Sequence, residues 1–155
     1  MEKDEPSPGY TFTLRIRGSN EKEAAAYARN HSFPIYRAAS FRETDPHPSA
    51  IEYFLGAIGG DLITGFSSIA ARHGIQPDSI EIVVSGQLSN PLVMLGVVGE
   101  SGSPGFETIH AKLYVSSDAE NSVLEEIWQE TIDRSPLVHS LNNRVTLLLQ
   151  LQPVV

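Results

Sequence analysis

Cysteine is absent from the 155-residue sequence, so disulfides, thiolate nucleophiles, Cys-ligated zinc and thiol redox sensing are excluded by composition. Positive charge is scarce as well. The balance of 11 Lys+Arg against 19 Asp+Glu gives a net charge of −8, which opposes non-specific binding to DNA, RNA or an anionic membrane. No nucleic-acid partner is expected. Long apolar runs are also lacking: a membrane-spanning helix takes roughly 18 to 20 apolar residues, and Gly59, Gly60, Asp61, Ser67 and Ser68 break the best stretch. No membrane partner is expected either. The opening MEKDEPSPGY has neither the basic start nor the apolar centre of a secretion signal. Residues 1–9 therefore read as a short disordered tail, residues 10–155 as one domain, and the location as cytoplasmic.

What is present is an alternation of strand and helix signals. YTFTLRIRG, residues 10–18, sets Phe12, Leu14 and Ile16 against Thr11, Thr13, Arg15 and Arg17, the period-2 pattern of a half-buried strand. In SNEKEAAAYARNHSFPIYRAASF the alanines favour helix, whereas the residues around Pro34 favour extended chain. After the turn DPHPS, Ser49 and Glu52 form a capping box that opens a helix running to about Arg72, with Gly74 as its stop. SIEIVVSGQL (79–88) and FETIHAKLYVSS (106–117) are strands, joined by the loop of a long hairpin. The glycines at 99, 102 and 105 in that loop fit neither a dinucleotide fingerprint nor a P-loop, so no nucleotide cofactor is implied. SDAENSVLEEIWQETIDR is an amphipathic helix begun at Ser117 or Asp118. Ser135 caps a further short helix with Pro136 at its first position, and RVTLLLQLQPV closes the chain as a strand. The plan is α+β.

The helix PSAIEYFLGAIGGDL, the strand pair after it, and SDAENSVLEEIWQETIDRSPLVHSL with the final strand together resemble the OsmC/Ohr family of organic hydroperoxide reductases, over about residues 29–152. In that family a Pro-x-Glu helix start leads to a Gly-Gly-Cys step, and a second cysteine opens a Cys-Pro motif at the next helix. Here Ala50 stands at the proline position, while Asp61 and Ser135 fill the two cysteine positions. The resemblance implies an intertwined homodimer with two central helices packed on β-sheets, and makes ARNHSFPIYRAASF strand. It also implies a peroxidase chemistry in which one thiolate attacks the O–O bond and a second thiol resolves the sulfenic acid. A carboxylate and a hydroxyl perform neither step, so what the resemblance leaves is a pocket without its redox pair.

On a helical wheel at about 100° per residue, Ile51, Leu55, Ile58, Leu62, Phe66 and Ile69 form one stripe, and Asp61 flanks it beside Phe54, Ala57, Thr64 and Ser68. A carboxylate at the edge of a core must find donors or take up a proton. The partners that the resemblance implies for Asp61 are the Ser135 hydroxyl and the free N–H groups at the start of the short helix. Asp61 is then either a lock between two helices or part of a ligand site. Glu52, Phe54 and His139 are further ligand-site candidates, although a capping box accounts for Glu52 and core packing for Phe54 and Trp128. Ser135 with His139 one turn on has the spacing of a nucleophile and base, but an N-cap hydroxyl is normally held by backbone donors. Arg29, Arg37 and Arg42 lie where the peroxidases keep a substrate-steering arginine and otherwise read as solvated strand residues. The scattered histidines complete no metal motif, so neither metal nor cofactor is expected. The expected partners are a second copy of the chain and a small, partly apolar molecule. The alternatives are a non-redox enzyme using Asp61 as general acid or base, and a structural or regulatory dimer linked to oxidative stress.

Overall fold

The structure, a computed structural model, describes residues 9–37 and 44–155. Residues 1–8 of the expected tail and Arg42 lie outside them. The chain divides into two compact units, one ending at Ala50 and the other spanning Ile51–Val155.

The first unit is an antiparallel sheet of β1 (Arg15–Gly18), β2 (Glu23–Ala28) and β3 (His31–Tyr36), in that order. β1 is shorter than the alternation of residues 10–18 suggests, and both of its faces are exposed, with Ile16 at 57%. The alanines of Glu23–Ala28 form the central strand and not a helix. Paired on both sides, with Ala26 wholly buried, they show sheet hydrogen bonding outweighing an intrinsic helix preference of a few tenths of a kcal/mol per residue. Arg29 turns the chain from β2 to β3 in the left-handed region, at φ 54°. Arg29 and Arg37 are exposed members of this unit.

In the second unit, α1 (Ala50–Arg72) begins immediately after Ser49, where the capping-box pattern places its start. It ends in a Schellman turn: Gly74 adopts φ 70°, its N–H donates to the Ala71 carbonyl and the Ile75 N–H donates to that of Ala70. By length and composition α1 is apolar enough to cross a membrane despite its glycines, serines and Asp61, contrary to the expectation that these residues break the stretch. Ile58, Leu62, Phe66 and Ile69 are nevertheless buried in the same hydrophobic cluster as the sheet residues, which makes α1 a core helix.

The sheet consists of β4 (Ser79–Leu88), β5 (Phe106–Ser116) and β6 (Thr146–Val154). β4 runs antiparallel to the central β5, and β6 runs parallel to it. A parallel neighbour requires a crossover, which α3 (Asn121–Arg134) and α4 (Pro136–Leu141) supply. The hairpin between β4 and β5 carries a one-turn helix, α2 (Pro91–Met94), capped by the Asn90 side chain, which accepts from the Leu92 N–H. α3 starts at Asn121, later than the Ser117 or Asp118 expected. The Ser117 hydroxyl instead accepts from the Ala119 N–H, closing a local turn ahead of the helix. Along β5 every second residue, Ile109, Ala111, Leu113 and Val115, has no exposed surface. Leu124, Ile127 and Trp128 of α3 join the same cluster, with the Trp128 ring 6.4 Å from that of Phe66.

Gly86 marks the tightest point in this packing. A Cβ there would lie 2.4 Å from Phe106 Cε1 and 3.1 Å from Leu55 Cδ2, and the Phe106 ring is itself held by stacking on Phe54 at 5.5 Å. Gly86→Ala should therefore destabilise the chain by about 1–3 kcal/mol through overpacking, despite the better strand propensity of alanine. A lower denaturant midpoint at unchanged m-value is the expected reading; an unchanged midpoint would show that Phe106 swings aside freely.

Candidate functional site

Once the core stripe of α1 is fixed against the sheet, the helical repeat determines which residues lie beside it. Asp61, Gly65, Ser68 and Arg72 follow one another at intervals of four, three and four along α1, a single line on its surface. The end of α3 faces that line. Gly65 allows the approach, since a Cβ at that position would already touch the Thr131 methyl at 3.4 Å.

Ser135 sits at the junction of α3 and α4, 4% exposed, and its hydroxyl is used in both directions. Its oxygen accepts from the Val138 N–H at 3.0 Å as the N-cap of α4, and its proton is donated to Asp61 Oδ2 at 2.5 Å. The half-buried Asp61 is thereby tied to a residue 74 positions away. Of the partners that the resemblance implies for Asp61, the hydroxyl is present, whereas the backbone donor at Val138 is taken by Ser135 itself.

Beside this hydrogen bond lies an open cleft of about 340 Å³. Asp61, Gly65, Ser68, Ile69 and Arg72 contribute one wall from α1; Thr131, Arg134 and Ser135 contribute the other. The Thr131 hydroxyl is turned inward, donating to the Ile127 carbonyl at 2.7 Å, which leaves its methyl against Gly65. At the far end Arg72 Nη2 and Arg134 Nη2 both contact Oε1 of Glu130, at 3.0 and 2.8 Å, and His73 Nε2 lies 4.0 Å from Oε2.

The other candidates lie elsewhere. His139 Nε2 is 2.9 Å from the Asp133 carbonyl, an acceptor, so that nitrogen carries a hydrogen and is turned away from the Ser135 hydroxyl. Phe54 stacks on Phe106. Glu52 lines a second cleft, of about 380 Å³, with Gly56, Gly59 and Gly60 of α1 and Ile82 and Val84 of β4. Trp128 is core. Arg72, Glu130, Thr131 and Arg134 went unnoticed in the sequence; the 61–65–68–72 spacing alone could have directed attention to Arg72.

The double use of Ser135 makes its contribution measurable. Ser135→Ala removes an N-cap and leaves Asp61 without its donor, and should cost about 1–3 kcal/mol. Asp61→Asn keeps the shape but weakens a charge-assisted bond, and should also lower stability at pH 7, by about 1 kcal/mol or more. Combined in a double-mutant cycle, the two should fall short of additivity by about 0.5–2 kcal/mol; strict additivity would mean that the contact has no energetic weight.

Comparison with known proteins places this arrangement in context. The family profile described as "OsmC-like protein" matches residues 43–150. Among solved structures, an OsmC-like protein from Mycoplasma pneumoniae superposes with a TM-score of 0.78 at 13% identity, covering 94% of this chain and 99% of that one. The organic hydroperoxide resistance protein OsmC of Legionella pneumophila, described also as a predicted redox protein, gives 0.64 at 10% identity over 92% and 97% of the two chains. OhrB of Bacillus subtilis, an organic hydroperoxide resistance protein, gives 0.60 at 16% identity over 92% and 98%. At such identities these likenesses show a shared fold. No curated protein matches this sequence closely. The profile spans well over half of the chain, and with the fold it establishes that this protein, cysteine-free as it is, belongs to the OsmC-like family.

Proposed function

We propose that this chain forms an OsmC-like homodimer that binds a small, partly apolar molecule in the cleft beside Asp61 and performs no thiol peroxidase chemistry. The observation that carries this reading is the state of Ser135: its oxygen and its proton are both engaged within the protein, on Val138 and Asp61. The pair at the positions implied for the redox cysteines is therefore a structural tie, and the sequence offers no other thiol. The cleft that remains combines Ile69, Gly65 and the Thr131 methyl with a few charged groups, the usual make-up of a small-molecule site. A cytoplasmic location, read from composition, is part of the same proposal.

The dimer is supported by the exposure of α1. Phe54, Gly56, Ala57 and Gly60 remain uncovered on an otherwise hydrophobic helix, a surface that a second copy would remove from water.

Two measurements test these points. Light scattering at micromolar concentration should return twice the chain mass; a stable monomer would remove the dimer. Metal-free protein supplied with a dithiol should consume cumene hydroperoxide no faster than a protein-free blank, since neither carboxylate nor hydroxyl cycles through a sulfenic acid. Reproducible turnover above the blank would overturn the non-redox reading.

A further inference from the structure

We infer that the ligand taken by the Asp61 cleft is a small zwitterion, an aliphatic amino-carboxylate whose ammonium and carboxylate groups are separated by several methylenes; this rests on the binding reading above and names its ligand class. The argument is the placement of charge within one cleft.

At one end stands Asp61. Among the described residues, the Ser135 hydroxyl is the only hydrogen-bond donor to its carboxylate, and it occupies Oδ2. A carboxylate offers about four lone-pair positions across its two oxygens, so this end accepts and carries negative charge. At the other end two guanidinium ions, Arg72 and Arg134, converge on a single oxygen of Glu130. Two cations against one anion leave a positive charge unbalanced, and each guanidinium has five N–H donors, most of them still available. Asp61 and Arg72 are about three turns apart on α1, about 16 Å between backbone positions by the helical rise, and the two guanidinium groups meet at Glu130, one turn before Arg134 on α3. Between the two ends the walls are Ile69, Gly65 and the methyl of Thr131, with Ser68 beside them, a mostly apolar stretch that suits methylene groups.

A molecule with one charge meets a penalty in this cleft. A simple carboxylate would gain the arginines but face Asp61 and the net charge of −8 on the chain; a simple amine would gain Asp61 but face the arginine pair. A neutral alcohol can hydrogen-bond at one end but balances the charge of neither. A zwitterion of the right length matches both, so selection comes as much from what the cleft repels as from what it attracts.

The test titrates the full chain with 6-aminohexanoate, 4-aminobutyrate, hexanoate, hexylamine and 1-hexanol, by calorimetry and by backbone amide chemical shifts. One of the two amino-carboxylates should bind at least about tenfold more tightly than every singly charged or neutral probe, the margin of one charge-assisted hydrogen bond, with shifts at Gly65, Ser68 and Thr131. Arg134→Gln and Arg72→Gln, both at exposed side chains, should each erase most of that margin in a protein whose unfolding midpoint is unchanged. If hexanol or hexanoate binds at those residues as tightly as the amino-carboxylates, the zwitterion class is overturned and the binding reading stands. If no probe shifts the cleft residues, both fall.

Discussion

One contact sets the geometry of the larger unit: the stripe Ile58, Leu62, Phe66 and Ile69 of α1 against the inward residues of β5. All are buried, and removing Phe66 alone from water contributes about 1.5–3 kcal/mol. The stripe fixes the rotation of α1 about its own axis, and a helix so fixed has no freedom left in what its other faces present. Asp61, Gly65, Ser68 and Arg72 are adjacent to the stripe by arithmetic, so the cleft wall follows from core packing. Asp61 is tolerable for the same reason. One position over, on the stripe itself, a carboxylate would enter the apolar cluster; on the adjoining line it is half-buried and within reach of a hydroxyl.

The hydrogen bond between Asp61 and Ser135 is a different kind of connection between two helices from a disulfide. A disulfide is made and broken by electron transfer and so can turn over. A hydrogen bond between carboxylate and hydroxyl is made once, on folding, and is reinforced here because the same hydroxyl caps α4 and cannot rotate away without giving up the Val138 N–H. The connection also separates charge. By holding Asp61 toward α4, it keeps the carboxylate apart from the arginines, which Glu130 gathers at the other end of the cleft.

Much of this architecture was legible from local pattern. β4 was read at its observed limits, β5 to within one residue, and both α1 and the Ser135–Pro136 helix start emerged from capping chemistry that acts over three or four residues. Where pairing with distant chain decides the outcome, local preference leaves the element open or overextends it: the alanines of β2 are held by strands on both sides, and among the described residues the alternation at 10–14 has no strand partner. The cap-plus-proline pattern that opens α4 at Ser135–Pro136 also stands at Asn90–Pro91, where it opens α2. The site divides similarly. The partnership of Asp61 with Ser135 spans 74 positions and came into view only through family resemblance, whereas the Arg72–Glu130–Arg134 cluster depends on how α1 and α3 cross, which no spacing along one helix encodes.

The fold shared with organic hydroperoxide resistance proteins at 10–16% identity shows how little of a fold depends on its chemistry. The burial pattern of α1 and β5 needs only apolar residues at the right period, and it leaves the line beside the stripe free to vary. In this chain that line carries a carboxylate, a serine and an arginine that the core does not require, beside Gly65, over which the Thr131 methyl packs. Their cost is small because the cleft is open to water and each charge has a partner: Ser135 for Asp61, Glu130 for Arg72. The core can therefore stay as it is while the cleft beside it varies, and a chain without a single thiol keeps the architecture of the OsmC-like fold.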